Sequence, residues 1–174
     1  PHLVDFRERC RINGAYIDKD FVCAFVSNLQ ETILEIQPSF FELTFAMSLA
    51  YFKEQKTDIV ILETGMGGRL DSTNVVSPEL AIITNIGLDH QAYLGETVAE
   101  IATEKAGIIK HGIPTLLSDY KKDVVDVVFE KAKQCETPLF LSKEIVAAKG
   151  LKPTTFTFKE NNSSIKANPP LAAN

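Results

Sequence analysis

The chain has 174 residues, 45% of them hydrophobic and 24% charged, which is the profile of a soluble globular protein with room for one sizeable core. Its net charge of −5 argues against non-specific nucleic-acid binding, although a locally basic cleft could still take anionic small substrates. Apolar runs such as Ile59–Leu62 are too short to cross a bilayer, and the charged segment Pro1–Arg11 has no signal-peptide core. Cys10, Cys23 and Cys135 form no CxxC pair, so a disulfide framework or zinc site is not expected and a reducing cytoplasm fits best.

From Asp18 to about Ile36 the spacing predicts a helix. Asp18 or Asp20 can cap it, and Phe21, Phe25, Leu29 and Ile33 recur at helical spacing. Pro38 punctuates, and Phe41, Thr44, Phe45, Ser48, Tyr51 and Phe52 predict a second helix to about Gln55. Asp58–Glu63 reads as a buried strand, because its apolar run is short, β-branched and bounded by polar residues. A glycine-rich loop follows over Gly65–Asn74, then a second buried strand over Leu80–Ile86. Thr97–Gly107 reads as a short helix capped by Thr97 and ended by Gly107. Ile113–Leu117 is a strand, Lys121–Glu136 a helix with Val124, Val125, Val128 and Ala132 facing inward, and Pro138–Leu141 a strand.

This alternation predicts an α/β domain over residues 1–150, with a mainly parallel sheet flanked by helices. Residues 151–174 read as an irregular tail with one strand, Thr154–Lys159, and Asn161–Asn174 as loop. Ligands of such sheets bind beyond the carboxyl ends of the strands, and the most unusual segments, Glu63–Asn74 and Gly87–His90, fall there.

Glu63 closes an apolar strand, and its hard anionic carboxylate would suit Mg²⁺, though alone it reads as an ordinary strand-end residue. His90 follows Asp89 after the next strand; a lone histidine is more often structural, and oxygen donors suit Mg²⁺ better. Gly65, Gly67 and Gly68 permit φ > 0 and close ligand approach, and Arg69 offers a fork for carboxylate or phosphate. No Gly-Lys-Ser/Thr phosphate loop occurs anywhere in the sequence. Lys105 lies at a helix C-terminus, where a cation also complements the helix dipole.

Four stretches together resemble the dihydrofolate synthases and folylpolyglutamate synthases of the Mur-type ligase superfamily. They are Pro1-His-Leu with Glu8-Arg9 and Ile12-Asn-Gly; Ser39-Phe-Phe-Glu42 with Thr44; Glu63-Thr-Gly-Met-Gly-Gly-Arg-Leu-Asp-Ser-Thr-Asn74; and Thr84-Asn-Ile-Gly-Leu-Asp-His90 followed by Leu94-Gly-Glu-Thr97 and Glu104-Lys-Ala-Gly-Ile-Ile109. The resemblance implies an incomplete Mur-ligase-type central ATPase domain. It implies ATP-dependent addition of L-glutamate to dihydropteroate or folates through an acyl phosphate. Glu63 and His90 would hold Mg²⁺ with a phosphate-loop serine that this sequence lacks, and Lys105 would carry a carbamate. Arg9, Phe41, Asp71 and Ser72 fall where family members contact the pterin–aminobenzoate part of the substrate. The family's phosphate loop would lie upstream of Pro1 and a further domain downstream, so the chain as it stands is expected to be inactive alone. A peptidoglycan-precursor ligase is the nearest enzyme alternative, and a non-catalytic folate-binding fragment the alternative outside enzymes.

Overall fold

Short polar side chains fix where the helices begin. The computed structural model describes residues 2–142 and, as backbone, three further strands, Val146–Lys149, Thr154–Phe158 and Ser164–Ala167. The chain divides into two units, one of Pro1–Met66 with Asp71–Val75 and one of Gly67–Leu70 with Val76–Asn174.

In the first unit a capping box opens the 3-10 helix Phe6–Arg9: the Arg7 N–H donates to Asp5 at 2.9 Å and the Asp5 N–H to Glu8 at 2.8 Å. Asn13 and Gly14, with φ of 50° and 86°, then turn β1 (Arg11–Ile12) back onto β2 (Ala15–Tyr16). Of the two candidate caps, Asp18 is used: its carboxylate accepts the N–H groups of Asp20 and Phe21 at 2.7 and 3.3 Å and starts α1 (Lys19–Asn28). The single helix expected to Ile36 is interrupted at Leu29 (φ −108°, ψ 13°), and α2 (Gln30–Ile36) continues separately to a left-handed Gln37. Ser39 and Glu42 form a second capping box for α3 (Phe40–Glu54).

Cys10, Ile17, Met47 and Tyr51 make this unit's core, with the Phe21 ring 4.9 Å from that of Tyr51. Burial pushes the Cys10 thiol up to about 11, so it serves as a small apolar side chain rather than a nucleophile. The strand expected over Asp58–Glu63 is not formed. The segment is extended but joins no ladder among the described residues, and Ile59 and Ile61 stand 84% and 92% exposed. An apolar β-branched run becomes a strand only where a neighbour accepts its backbone hydrogen bonds.

In the second unit β3 (Ala81–Ile83), β4 (Thr115–Leu117) and β5 (Leu139–Leu141) form a parallel sheet in that order, with Ile83 opposite Leu117 and Leu117 opposite Leu141. Between β3 and β4 the chain forms α4 (Gln91–Leu94) and α5 (Val98–Ala106); between β4 and β5 it forms α6 (Lys122–Gln134). Parallel neighbours require such crossovers, so the expected fold class holds. Thr97 caps α5 through a box with Glu100, and Val124, Val128 and Ala132 of α6 are buried as the periodicity requires. Val124 and Val128 pack with Ile83, Ile86, Ile101, Ala102, Ala106, Ile109 and Leu117 into one core.

The same unit contains an antiparallel sheet of β6 (Val146–Lys149), β7 (Thr154–Phe158) and β8 (Ser164–Ala167). β7 is the strand expected at Thr154–Lys159. β8 corrects the reading of Asn161–Asn174 as loop: its four residues alternate polar and apolar, but the run is too short to stand out among asparagines and prolines. The domain boundary expected between residues 150 and 151 lies outside the described residues. No helix among the described residues is long and apolar enough to cross a membrane.

Ile101 is fully buried at the centre of the second core. Ile101→Ala should therefore cost about 2–5 kcal/mol by chemical denaturation, as large-to-small changes in close-packed interiors do. A loss below about 1 kcal/mol would mean the α5–sheet interface is looser than described.

Candidate functional site

In the first unit the loop after residue 63 is shaped by Asp71. One of its carboxylate oxygens accepts the N–H groups of Gly65 (3.0 Å) and Met66 (2.9 Å); the other accepts the N–H (3.0 Å) and hydroxyl (2.6 Å) of Thr73. Asp71 thus staples both ends of a turn, and Ser72 starts the short 3-10 helix Ser72–Val75 beside it. Phe41 closes the other side: a Cβ added to Gly65 would lie 2.8 Å from its Cζ. Arg9 stands apart from this cluster. Its Nε donates to Nδ1 of His2 at 2.7 Å, and its guanidinium lies 5.3 Å from the centre of the Phe40 ring, which in turn meets Phe6 edge-on. Glu63 is exposed in the extended segment that leads into the loop.

In the second unit Gly67–Leu70 lies on the C-terminal turn of α5. The Arg69 N–H donates to the Glu104 carbonyl at 2.9 Å, and the Arg69 guanidinium grips the Glu104 carboxylate through contacts of 3.0–3.2 Å. A Cβ on Gly68 would lie 2.8 Å from the carbonyl oxygens of both Glu104 and Lys105. One on Gly107 would lie 2.3 Å from the Arg69 Cβ. Both glycines serve close contact of chain with chain, where the sequence reading gave Gly68 to close ligand approach. Gly107 ends α5 as expected, yet with a helical φ of −61°, so proximity to Arg69 rather than a left-handed turn explains the residue. Lys105 sits half-buried on this last turn.

Beyond β3 the chain runs through Ile86 to His90, held by a residue the sequence reading passed over. Asp119, 5% exposed just after β4, accepts the Ile86 N–H at 2.7 Å and the Lys121 N–H at 3.0 Å, while the Lys121 ammonium reaches the Ile86 carbonyl. Burial alone would raise the Asp119 pKa; hydrogen bonds from the N–H groups of Lys121, Ile86 and Tyr120, with the Lys121 charge, outweigh it and leave the carboxyl below its ordinary value. The signal was available, since Ser118-Asp119 closes an apolar strand just as Glu63 closes its run. His90 itself is left-handed (φ 51°, ψ 37°), with its N–H on the Asp89 carboxylate at 2.8 Å and an exposed ring. A non-glycine residue held there is uncommon, and such strain collects at functional loops.

Among the described residues no three or more His, Cys, Asp or Glu side chains gather into a metal cage. Glu63 and His90, both exposed, offer one carboxylate and one imidazole. Taken singly, a carboxylate such as that of Glu63 is a hard oxygen donor that suits Mg²⁺, and an imidazole such as that of His90 suits it less well.

A parallel sheet with helical crossovers and polar loops beyond β3 and β4 defines the class of the second unit as an α/β domain of the kind that binds ligands at its strand ends. The family model described as Mur ligase middle domain matches residues 28–166, and the chain belongs to that family. It is 41% identical over 145 residues to the dihydrofolate synthase/folylpolyglutamate synthase of Bacillus subtilis, covering 79% of this chain and 34% of that protein. The crystal structure of folylpolyglutamate synthase from Thermotoga maritima superposes with a TM-score of 0.82 at 33% identity, covering 96% of this chain and 40% of that one. E. coli FolC in complex with DHPP and ADP superposes at 0.85 with 28% identity, covering 99% and 41%. The chain spans about a third of the length of the Bacillus relative. The resemblance drawn from the four sequence stretches is thereby borne out.

Gly107→Ala separates two opposing effects. Helix propensity alone would make alanine better by up to about 1 kcal/mol, whereas the contact with Arg69 makes it worse. We expect net destabilisation in thermal unfolding; a gain would remove the close contact from the account. Asp119 supplies a pH test. Its folded pKa is depressed, so its contribution is present above the unfolded value of about 3.9 and lost as pH falls through the folded value. Asp119→Asn should lower stability at neutral pH and flatten the acid limb of the stability–pH curve, and an unchanged acid limb would count against this linkage.

Proposed function

We propose that the whole protein is an ATP-dependent carbon–nitrogen ligase that adds L-glutamate to dihydropteroate, to folates, or to both. The observation that carries the reading is the ordered set of motifs from Glu63 to Ile109, together with relatives bearing dihydrofolate and folylpolyglutamate synthase names. The folate branch is favoured over a peptidoglycan-precursor ligase by the Arg69-Leu-Asp-Ser-Thr-Asn74 stretch and the Pro1–Gly14 segment. The free thiols Cys10, Cys23 and Cys135 suit a reducing compartment, and we assign the protein to the cytoplasm.

In this reading a substrate carboxylate takes the γ-phosphoryl of ATP, and the glutamate amine displaces phosphate from the acyl phosphate. The chemical difficulty is bringing an anion up to a polyanion. Glu63 and His90 are the residues we assign to Mg²⁺, which when bound would offset that repulsion and neutralise charge on the transferred group. Lys105, on the half-buried last turn of α5, would react as the neutral amine with CO₂, releasing a proton and leaving a carbamate anion. Arg9 and Phe41 would meet the flat pterin–aminobenzoate portion, for which the guanidinium–ring stack at Arg9 offers planar surface. Asp71 and Ser72 would border it, with Asp71 acting mainly by holding the loop, since both its oxygens already bind loop donors. No protein nucleophile is needed, so orientation of three substrates supplies much of the rate.

The test is turnover of the whole protein with ATP, glutamate and dihydropteroate or tetrahydrofolate. Glu63→Ala and His90→Ala should each lower kcat by roughly 10²-fold or more, with little effect on folding, because both side chains are exposed. His90→Asn is the better control for backbone strain, since asparagine tolerates the left-handed conformation. Near-normal kcat in both alanine variants at saturating Mg²⁺ would remove these residues from the assignment. Turnover with a peptidoglycan precursor and none with pterin substrates would move the protein to the other branch.

A further inference from the structure

The carbonyl groups of a helix's last turn have no intrahelical donors, and that turn ordinarily frays. At the end of α5 the N–H groups of Gly107, Ile108 and Ile109 close onto the carbonyls of Glu104, Lys105 and Ala106, and Arg69 adds a hold from a distant part of the chain. Arg69 gives its backbone N–H to the Glu104 carbonyl at 2.9 Å and closes its guanidinium on the Glu104 carboxylate, with Nη2 at 3.0 Å and Nε at 3.2 Å from Oε1. Nε is also 3.2 Å from Oε2. The flanking Gly68 and Gly107 leave no room for side chains between this loop and the turn. Lys105 is the next residue along, and its carbonyl lies beneath Gly68.

We propose that Arg69 is a positioning residue for Lys105: gripping Glu104 by backbone and side chain at once, it fixes the last turn of α5 and with it the direction in which the lysine leaves the helix. The proposal rests on the reading of Lys105 as part of the ligase site. A guanidinium is suited to the task because its planar fork matches a carboxylate in two dimensions, which an ammonium cannot do. The arrangement also commits to Arg69 the carboxylate nearest in sequence to the lysine. Arg69 therefore acts through the protein. It is not assigned to the substrate phosphates, although its side-chain chemistry would permit that.

The experiment is a double-variant cycle in the whole ligase, reading kcat and KM for Arg69→Gln, Glu104→Gln, Lys105→Ala and the pair Arg69→Gln with Lys105→Ala. Arg69→Gln and Glu104→Gln should each lower kcat about 10-fold with KM for ATP and the pterin substrate little changed, as misplacement of a reacting group does. Arg69→Lys should recover only part of the loss. In the Lys105→Ala background Arg69→Gln should add no further loss, because the group it positions is gone. Glu104→Gln preserves side-chain size and the backbone bond, so it carries the test if Arg69→Gln does not fold. Losses that multiply in the double variant, wild-type kcat in both glutamine variants, or a dominant rise in KM for ATP would overturn the role of Arg69 while leaving that of Lys105 standing. Normal turnover of Lys105→Ala would overturn the reading of the lysine, and the positioning role with it.

Discussion

The second unit depends on one buried carboxylate. Parallel strands end with their carbonyls and amides pointing into loops, and a loop that must hold a fixed shape needs donors and acceptors from outside itself. Asp119 supplies them at the end of β4. It takes the Ile86 amide and the amide of Lys121, whose ammonium takes the Ile86 carbonyl. Both backbone polar groups of one residue are therefore met by a neighbouring loop, and Ile86 can be fully buried without orphaned backbone. The left-handed His90 lies four residues further on, so its unusual backbone begins from a fixed point.

The glycine-rich stretch follows a different logic from the phosphate-cradling loops it superficially resembles. Its residues do not leave a hollow. Gly68 and, from the other side, Gly107 let two backbones meet at a distance no Cβ would tolerate, and Asp71 gathers the amides of Gly65 and Met66. The loop's hydrogen bonds run within the protein, and the Arg69 guanidinium is spent on the Glu104 carboxylate.

Much of this was legible in the sequence where the determinants are local. Thr97 and Gly107 bounded α5 because caps and breakers act over a few residues, and the inward valines of α6 followed from period alone. Parallel order followed from alternation of strand and helix. What failed depended on distant partners. Asp58–Glu63 has a strand's composition but no partner strand among the described residues, and the run expected over Leu80–Ile86 stops at Ile83 because Asp119 draws the following backbone away. The break at Leu29 carries no glycine or proline to announce it. Asp119 and the clamp of Arg69 on Glu104 are pairings 33 and 35 residues apart, which no window of local pattern can register. Glu63, His90 and Lys105 were singled out through their motif alone, since nothing in their individual chemistry separates them from ordinary polar residues.

The run Ile59-Val60-Ile61-Leu62, exposed over its first three residues, bears on the chain in crowded conditions. Four consecutive aliphatic residues without proline, in no ladder among the described residues, form the kind of segment that stacks with copies of itself into cross-β assemblies. Asp58 and Glu63 flank it on either side. In a register-matched stack each carboxylate would face its own image at a spacing of about 4.8 Å, a repulsion that accumulates with every added chain. An acidic residue at position 63 therefore works against such stacking, as a charge beside an apolar run does.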